Sequence, residues 1–184
     1  VTPEDRKRAQ SFKVRRQVEQ QRGGAASLED FYASLEMKLY LQPLAEDNIA
    51  RAAQLCMKTN QFNTTTRRHD QHALRQIVAE GGDVVVLGLE DRYSELENIG
   101  LIILRPSSDA QQQGVVDSYL LSCRVLGRGL ETAVLHWALH RASARQWTTL
   151  RGRVVDTERN TPVRTVFQHA GFQKNDIAGE WVAS

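Results

Sequence analysis

The sequence predicts an α/β domain preceded by a helical arm. Short apolar runs with the alternation of strands recur between residues 39 and 182, and segments of helical periodicity separate them. Two of the helical segments begin at capping residues and end at glycines. Residues 1–22 differ, because they are mostly charged and offer only sparse apolar positions for a helix to bury.

The arm is predicted to break at Gly23-Gly24. A second helix start follows, with Ser27 as the cap and Asp30 as an acid three residues later. A domain boundary is therefore expected between Gly23 and Glu36. This assigns residues 1–36 to an arm or connector and residues 37–184 to the domain.

The first half of the domain is predicted to run strand, helix, helix, strand, strand. LYLQPL (39–44) is predicted to be a strand, and Asp70 caps the second helix, which ends at Gly81-Gly82. VVVLGL (84–89) and IGLIIL (99–104) are the next strands. The helical residues expected to face the core are Ile49, Ala52, Ala53, Cys56, Ala73, Leu74, Ile77 and Val78.

The second half is predicted to run strand, helix, strand, helix, strand. VVDSYLLSC (115–123) and residues 148–155 are strands, and a strand near Trp181-Val182 closes the chain. The helix after Gly129 is expected to bury Leu130, Ala133, Val134, Trp137 and Ala138.

The last helix is predicted from its boundary residues. Asn160 or Thr161 caps it, Pro162 occupies its first turn and Gly171 ends it. Its core positions are expected to be Val163, Val166, Phe167 and Ala170.

Composition and charge exclude several classes of function. The 184-residue chain has a formal net charge of +2 and scattered basic residues, so nucleic-acid binding is not expected. No stretch approaches the roughly 18 apolar residues that span a membrane, and residues 1–10 lack the apolar segment of a signal peptide. Cys56 and Cys123 lie far apart and are expected as small core residues of a reduced, cytoplasmic protein.

CRVLGRGL, residues 123–130, joins a predicted strand to a predicted helix. Free N–H groups, the helix dipole and the small glycines Gly127 and Gly129 favour a bound anion there. Arg124 and Arg128 can pair with the same anion. The alternative is a tight turn with solvated arginines.

The order of elements and Arg124-x-x-Gly127-x-Gly129 together resemble the GNAT acyltransferase fold, over roughly residues 38–184. The resemblance implies a mixed, mostly antiparallel sheet flanked by helices. It also implies CoA or a carrier-bound phosphopantetheine as cofactor, in a cleft between the fourth and fifth strands. Asn160, ahead of a helix that ends in Gly171-Phe172, matches the asparagine that contacts the pantetheine arm. The implied cofactor-binding residues are Arg124, Gly127, Arg128, Gly129 and Asn160.

Two departures from the family pattern predict weakened acetyl-CoA chemistry. If the helix sets the alignment, Gly129 takes the place of the family's first glycine and Glu131 that of the second. A carboxylate in that turn would repel a pyrophosphate, and both alignments stay open. Many GNAT enzymes also carry a tyrosine, as general acid, where this chain has Phe167, which has no proton to give.

Four longer stretches resemble the C-terminal half of FkbH-like proteins: SLEMKLYLQPL, TNQFNTTTRR, SCRVLGRGLE and ERNTPVRTVFQHAGF. Proteins of that family join a HAD-type phosphatase domain to a GNAT-like domain. The resemblance implies glyceryl transfer from 1,3-bisphosphoglycerate to an acyl carrier protein in polyketide biosynthesis. Phosphatase chemistry of the HAD type needs an Asp-x-Asp pair, which this sequence lacks. The implied partners are therefore an acyl carrier protein and an upstream phosphatase domain of the same polypeptide.

TNQFNTTTRRHD (59–70) places amides and hydroxyls around one aromatic residue, Phe62, between two helices. It is either a well-hydrogen-bonded loop or the lining of a pocket for a polyhydroxy acyl group or pantetheine amides. The FkbH resemblance favours the pocket, and Phe62 is expected to be a core anchor. The candidate substrate-binding residues are Asn60, Gln61, Asn63, Thr65 and Arg67.

Candidates for catalysis are few. Cys123 lies beside the turn that contains Gly127 and Gly129, which we call the glycine turn. A thiolate there could accept an acyl group, although the apolar neighbours of Cys123 favour burial. His69 flanks a helix start and could act as a base. His136 and His140 have no third ligand, so no metal site is expected. Two alternative functions remain: a free-standing acetyl-CoA-dependent N-acetyltransferase, and a non-catalytic docking domain for a carrier protein.

Overall fold

The structure is a computed structural model that describes residues 27–108, 110–177 and 179–184. The helix predicted over residues 1–22 and its break at Gly23-Gly24 lie outside the described residues. The chain forms two compact units. The smaller contains residues 27–39 and 89–97, and the larger contains residues 40–88 and 98–184.

In the smaller unit, helix α1 (Leu28–Ser34) begins where the capping pattern predicted it. The Ser27 Oγ accepts a hydrogen bond from the Asp30 N–H at 3.0 Å. Leu35, just after the helix, is buried, and its carbonyl accepts a hydrogen bond from the Arg92 N–H at 2.9 Å. The helix end is thereby joined to the turn that follows Asp91.

The elements that follow are β1 (Lys38–Pro43), α2 (Ile49–Lys58), α3 (Gln71–Ala79), β2 (Asp83–Asp91), β3 (Ser94–Pro106), β4 (Gln113–Leu121), α4 (Leu130–Ala144), β5 (Thr149–Arg153), α5 (Val166–His169), β6 (Gln173–Lys174) and β7 (Glu180–Ala183). In the described part of the chain, seven strands hydrogen-bond in the order β1-β2-β3-β4-β5-β7-β6. β4 pairs antiparallel with β3 and parallel with β5, and β7 pairs antiparallel with β5 and β6. The predicted α/β class, a mixed sheet flanked by helices, is confirmed.

The main core of the larger unit lies between α2, α3 and strands β2 to β4. It contains Ile49, Ala52, Cys56, Leu74 and Ile77 from the two helices, as predicted. Asp70 caps α3, because its Oδ1 accepts a hydrogen bond from the Ala73 N–H at 2.8 Å. Val78 was predicted to face inward but is 44% exposed, since it lies beyond the edge of the buried stripe that Leu74 and Ile77 define.

The buried face of α4 differs from the predicted one. Leu130, Val134 and Ala138 are buried as expected, but Leu135 is also buried, and Ala133 is exposed. Apolar residues surround much of this helix, so its periodicity does not define a single face. Among the described helices, none is long and apolar enough to cross a membrane.

The predicted last helix is split in two. A 3₁₀ turn (Thr161–Val163) precedes the short α5, and all four predicted core residues of this region are buried. Gly171 ends the helix in the left-handed region, at φ +87°. Asn160 makes no side-chain cap, because its amide group binds backbone elsewhere.

The parallel strands β4 and β5 pair over four residues only, Gln113–Val116 with Thr149–Gly152. Ile103 pairs with Ser118 and Leu104 with Val116, so Asp117 forms a bulge in β4. β4 then continues to Leu121 without β5 beside it. We call the space between the second half of β4 and the chain that follows β5 the interstrand groove.

Candidate functional site

The glycine turn leads from the interstrand groove into α4. Gly127 and Gly129 have φ values of +76° and +80°, a backbone region that strongly favours glycine. Apart from the adjacent residues, no atom of the described chain lies within 4 Å of a Cβ built on either glycine, so the turn is open on that side. Both glycines therefore give the turn the backbone shape and access that an anion site needs.

The Glu131 carboxylate occupies part of this turn. Its Oε1 accepts a hydrogen bond from the Gly127 N–H, and it lies in the first turn of α4, where the helix dipole stabilises a negative charge. Arg128 donates to the Arg124 carbonyl at 3.3 Å. A phosphate at this turn would have to displace a carboxylate of like charge from the Gly127 amide.

The interstrand groove holds the chain's own residues 62–64. The Leu121 N–H donates to the Phe62 carbonyl at 3.1 Å, and the Thr64 N–H donates to the Tyr119 carbonyl at 3.0 Å. On the opposite side, the Val155 N–H donates to the Thr64 carbonyl at 2.8 Å. In the arrangement described, the groove that the family resemblance assigns to a pantetheine arm does not admit one.

Asn160 is buried at this groove, and both its side-chain nitrogen and its side-chain oxygen make hydrogen bonds. Its Nδ2 donates to the carbonyls of Asn63 (3.2 Å) and Val155 (2.8 Å), and its Oδ1 accepts from the Thr157 N–H at 2.8 Å. Because both amide protons are bound to backbone, Asn160 joins the 59–70 loop to the chain after β5. In this arrangement it has no donor left for a ligand.

A polar cluster surrounds the buried Asp117 carboxylate. Ser118 Oγ donates to Asp117 Oδ2 at 3.1 Å, His69 Nε2 lies 3.4 Å from the same oxygen, and Arg67 pairs with Oδ1. Burial alone would raise the pKa of Asp117, but the hydrogen bond from His69 and the charge of Arg67 hold this pKa below its usual value.

The Asp117 cluster does not have the geometry of a nucleophilic triad. His69 Nε2 faces both Ser118 Oγ (3.1 Å) and the Asp117 carboxylate, whereas a triad uses its two ring nitrogens for the two partners. Ser118 is also completely buried. We therefore assign a structural role to this cluster, with His69 as part of it.

The five predicted substrate-binding residues do not line one pocket. Asn63 is buried, Thr65 donates to the Asp117 carbonyl at 2.9 Å, and Arg67 pairs with Asp117, while Asn60 and Gln61 are exposed. A cavity of about 330 Å³ nearby is lined by Asn60, Thr66, Arg68, Thr157, Glu158 and Arg159. Of the five predicted residues, only Asn60 lines this cavity. The residues that follow Asn60 lie elsewhere because residues 62–64 pair with β4 as a strand does.

The two cysteines have opposite environments. Cys56 is buried as predicted, and burial raises the pKa of its thiol to about 11. The prediction of a core position for Cys123 is wrong, because β4 ends at Leu121 and Cys123 lies exposed in a 3₁₀ turn. No group of three possible metal ligands occurs in the part of the chain that the structure describes.

Phe167 is a core residue, as predicted. It is fully buried, its ring centroid lies 5.1 Å from that of Phe172 in an edge-on contact, and it packs against Gly152 in β5. The position that many GNAT enzymes give to a general acid thus supplies no proton here.

The sequence matches no protein-family model, and no curated protein is recognisably similar to it. Solved structures do share its fold. A protein assigned to the GNAT family of acetyltransferases from Desulfovibrio desulfuricans aligns over 80% of this chain and 98% of its own, with a TM-score of 0.59 and 14% identity. Aminoglycoside acetyltransferase AAC(6')-Ib in complex with coenzyme A aligns over 80% and 95%, with a TM-score of 0.59 and 12% identity.

Mycobacterium smegmatis RimJ in complex with CoA-disulfide is a third similar structure. It aligns over 81% of this chain and 84% of its own, with a TM-score of 0.57 and 19% identity. The fold of this chain is therefore the GNAT acetyltransferase fold, as the sequence resemblance implied.

Proposed function

We propose that this chain acts in acyl transfer on a phosphopantetheine thiol, as the GNAT-like part of an FkbH-like protein. In this proposal the acyl group is a glyceryl unit, and an acyl carrier protein rather than free CoA presents the thiol. The observation that carries the proposal is that β4 and β5 stop pairing beside an open turn, in which two glycines have left-handed backbone conformations. Two structures of the same fold hold CoA or its disulfide, which supports a thiol carrier of this chemical type.

Two observations argue against a free-standing acetyl-CoA enzyme. Phe167 offers no acid for a leaving thiolate, and the Glu131 carboxylate stands where a pyrophosphate would bind. The filled groove favours a second candidate, a docking domain that recruits a carrier protein without chemistry of its own. Acyl transfer requires a second arrangement of residues 62–65, whereas docking does not.

Calorimetric titrations separate these functions. We expect holo carrier protein to bind at least tenfold more tightly than apo carrier protein, CoA to bind weakly, and acetyl-CoA to give no turnover with amines. Equal binding of the apo and holo forms would favour the docking domain, and turnover of acetyl-CoA would favour the acetyltransferase. An Asp-x-Asp-x-Thr motif upstream of Val1 in the full gene would support the FkbH-like context.

Glu131→Gln is expected to increase the affinity for CoA about fivefold. The substitution removes the charge that opposes a phosphate at the Gly127 amide, an effect of about 1 kcal/mol at a helix N-terminus. Calorimetry at low and high salt measures it, and the gain should shrink at high salt. Glu95→Gln, which removes an exposed charge from β3, serves as the control. Unchanged affinity in Glu131→Gln would show that the turn does not hold the phosphates.

A further inference from the structure

Residues 62–65, which we call the inserted segment, fill the interstrand groove as a short strand. Asn63 and Leu120 form an antiparallel bridge, flanked by the two backbone hydrogen bonds that join Phe62 and Thr64 to β4. The backbone of Thr64 also binds Val155 on the other side. The segment therefore satisfies backbone groups on both walls of the groove.

Side chains hold the inserted segment in place as well. Thr64 Oγ1 accepts a hydrogen bond from the Tyr119 N–H at 3.0 Å, and Asn160 binds the Asn63 carbonyl. The Phe62 ring meets the Tyr119 ring edge-on at 5.1 Å. The segment is also buried: the exposed fraction is at most 1% for Phe62, Asn63 and Thr64.

The contacts of the segment are those that an extended ligand rich in amides would make. Such a ligand recognises a strand through the free N–H and C=O groups along its edge. On β4 those groups include both backbone groups of Tyr119 and the N–H of Leu121, and the inserted segment binds all of them. A ligand arm and the segment therefore compete for the same atoms.

The segment belongs to an irregular connection between α2 and α3. Residues 59–70 form neither helix nor regular strand apart from the single bridge at Asn63. Thr66, directly after the segment, has φ +57°, which is unfavourable for a β-branched residue. Its N–H donates to Asn63 Oδ1 at 2.9 Å, so this strained residue is tied to the conformation of the segment.

We infer that the inserted segment closes the interstrand groove, and that a pantetheine arm binds there only after the segment has left the groove. The inference rests on the proposed function, because it names the regulation of the same groove. Its consequence is a weak apparent affinity for CoA, reduced by the small fraction of molecules with an open groove.

Native-state hydrogen exchange tests whether the segment opens. The N–H groups of Thr64, Leu121 and Val155 should exchange together, and faster than the core amides of β3. Thr64→Val, which removes the acceptor of the Tyr119 N–H, should speed this exchange about five- to tenfold without changing that of β3. Thr148→Val makes the same substitution outside the groove, where the Thr148 hydroxyl donates to the Gln112 carbonyl at 3.2 Å, and is the control. Exchange only through global unfolding would overturn the inference.

A disulfide tests whether opening controls binding. Asn63 and Leu120 are a non-hydrogen-bonded antiparallel pair, whose Cα atoms lie about 4.5 Å apart, within the range of a disulfide. Cysteines at both positions, in a Cys123→Ser background, should lock the segment when oxidised and free it when reduced. We expect CoA binding by the reduced protein to be at least tenfold stronger than by the oxidised protein. Circular dichroism checks that both forms are folded.

The outcomes distinguish the inference from the proposed function. Equal CoA binding by the oxidised and reduced proteins would overturn the inference and leave the proposed function standing. Loss of binding on oxidation, with exchange that shows a joint opening, would support both. Absence of binding to CoA and to holo carrier protein in every form, despite a segment that opens, would overturn the proposed function and the gating role with it.

Discussion

Asp117→Ala is expected to lower the free energy of unfolding by about 3 kcal/mol, measured by urea denaturation at pH 7. The substitution leaves His69 and Ser118 without their shared buried acceptor and Arg67 without its partner. Removal of one partner from a buried charged network has effects of this size. Asp156→Ala breaks an exposed ion pair with Arg164 and should change stability by at most about 0.5 kcal/mol. Similar values for the two variants would contradict a structural role for the cluster.

The effect of Asp117→Ala should also depend on pH. The pKa of Asp117 is lower in the folded protein than in the unfolded one, so its carboxylate stabilises the fold above the unfolded value of about 3.9. That stabilisation is lost as the pH falls through the folded pKa. The difference in stability between wild type and Asp117→Ala should therefore shrink below about pH 4. A difference that stays constant down to pH 3 would show that the carboxylate is not the stabilising group.

Gly152→Ala is expected to destabilise the domain by about 2–3 kcal/mol. A Cβ at this position would lie 2.2 Å from Cε1 and 2.3 Å from Cζ of Phe167, which is fully buried and has no room to move. Overpacking of a filled core has costs of this size. Thermal and urea denaturation measure the effect.

The double variant Gly152→Ala with Phe167→Leu is the control for Gly152. The smaller side chain makes room for the new methyl group, so the double variant should be more stable than the sum of the two single effects predicts. Simple addition of the two effects would mean that the Phe167 ring is not the obstacle.

Most of the strands could be predicted because they lie in apolar runs bounded by polar turns. β6 was missed, since a two-residue strand of exposed polar residues has no pattern to detect. The glycine turn was also predictable from local sequence, because left-handed backbone conformations favour glycine. In contrast, the buried face of α4 could not be chosen, as apolar residues occur around much of that helix.

The Asp117 cluster could not be predicted, because it joins residues about 50 positions apart. One signal was present: an acid within the apolar run VVDSYLL needs a partner when it is buried. The structure supplies that partner as Arg67, which the sequence had placed in a substrate pocket. The sequence pattern of this loop also favoured a pocket lining for Asn63 and Thr65, whereas the structure buries Asn63 and binds Thr65 to the Asp117 carbonyl. The prediction that Phe62 lies in the core is confirmed.

The amide group of Asn160 bridges two segments that lie far apart along the chain. Because Asn63 and Asn160 are 97 positions apart, the bridge forms only after the polypeptide has been made beyond residue 160. Until then, the carbonyls of Asn63 and Thr64 lack the partners that Asn160 and Val155 supply, and bare strand edges promote pairing with other molecules. A nascent chain that ended before Val155 would therefore expose the outer edge of residues 62–64 to such pairing.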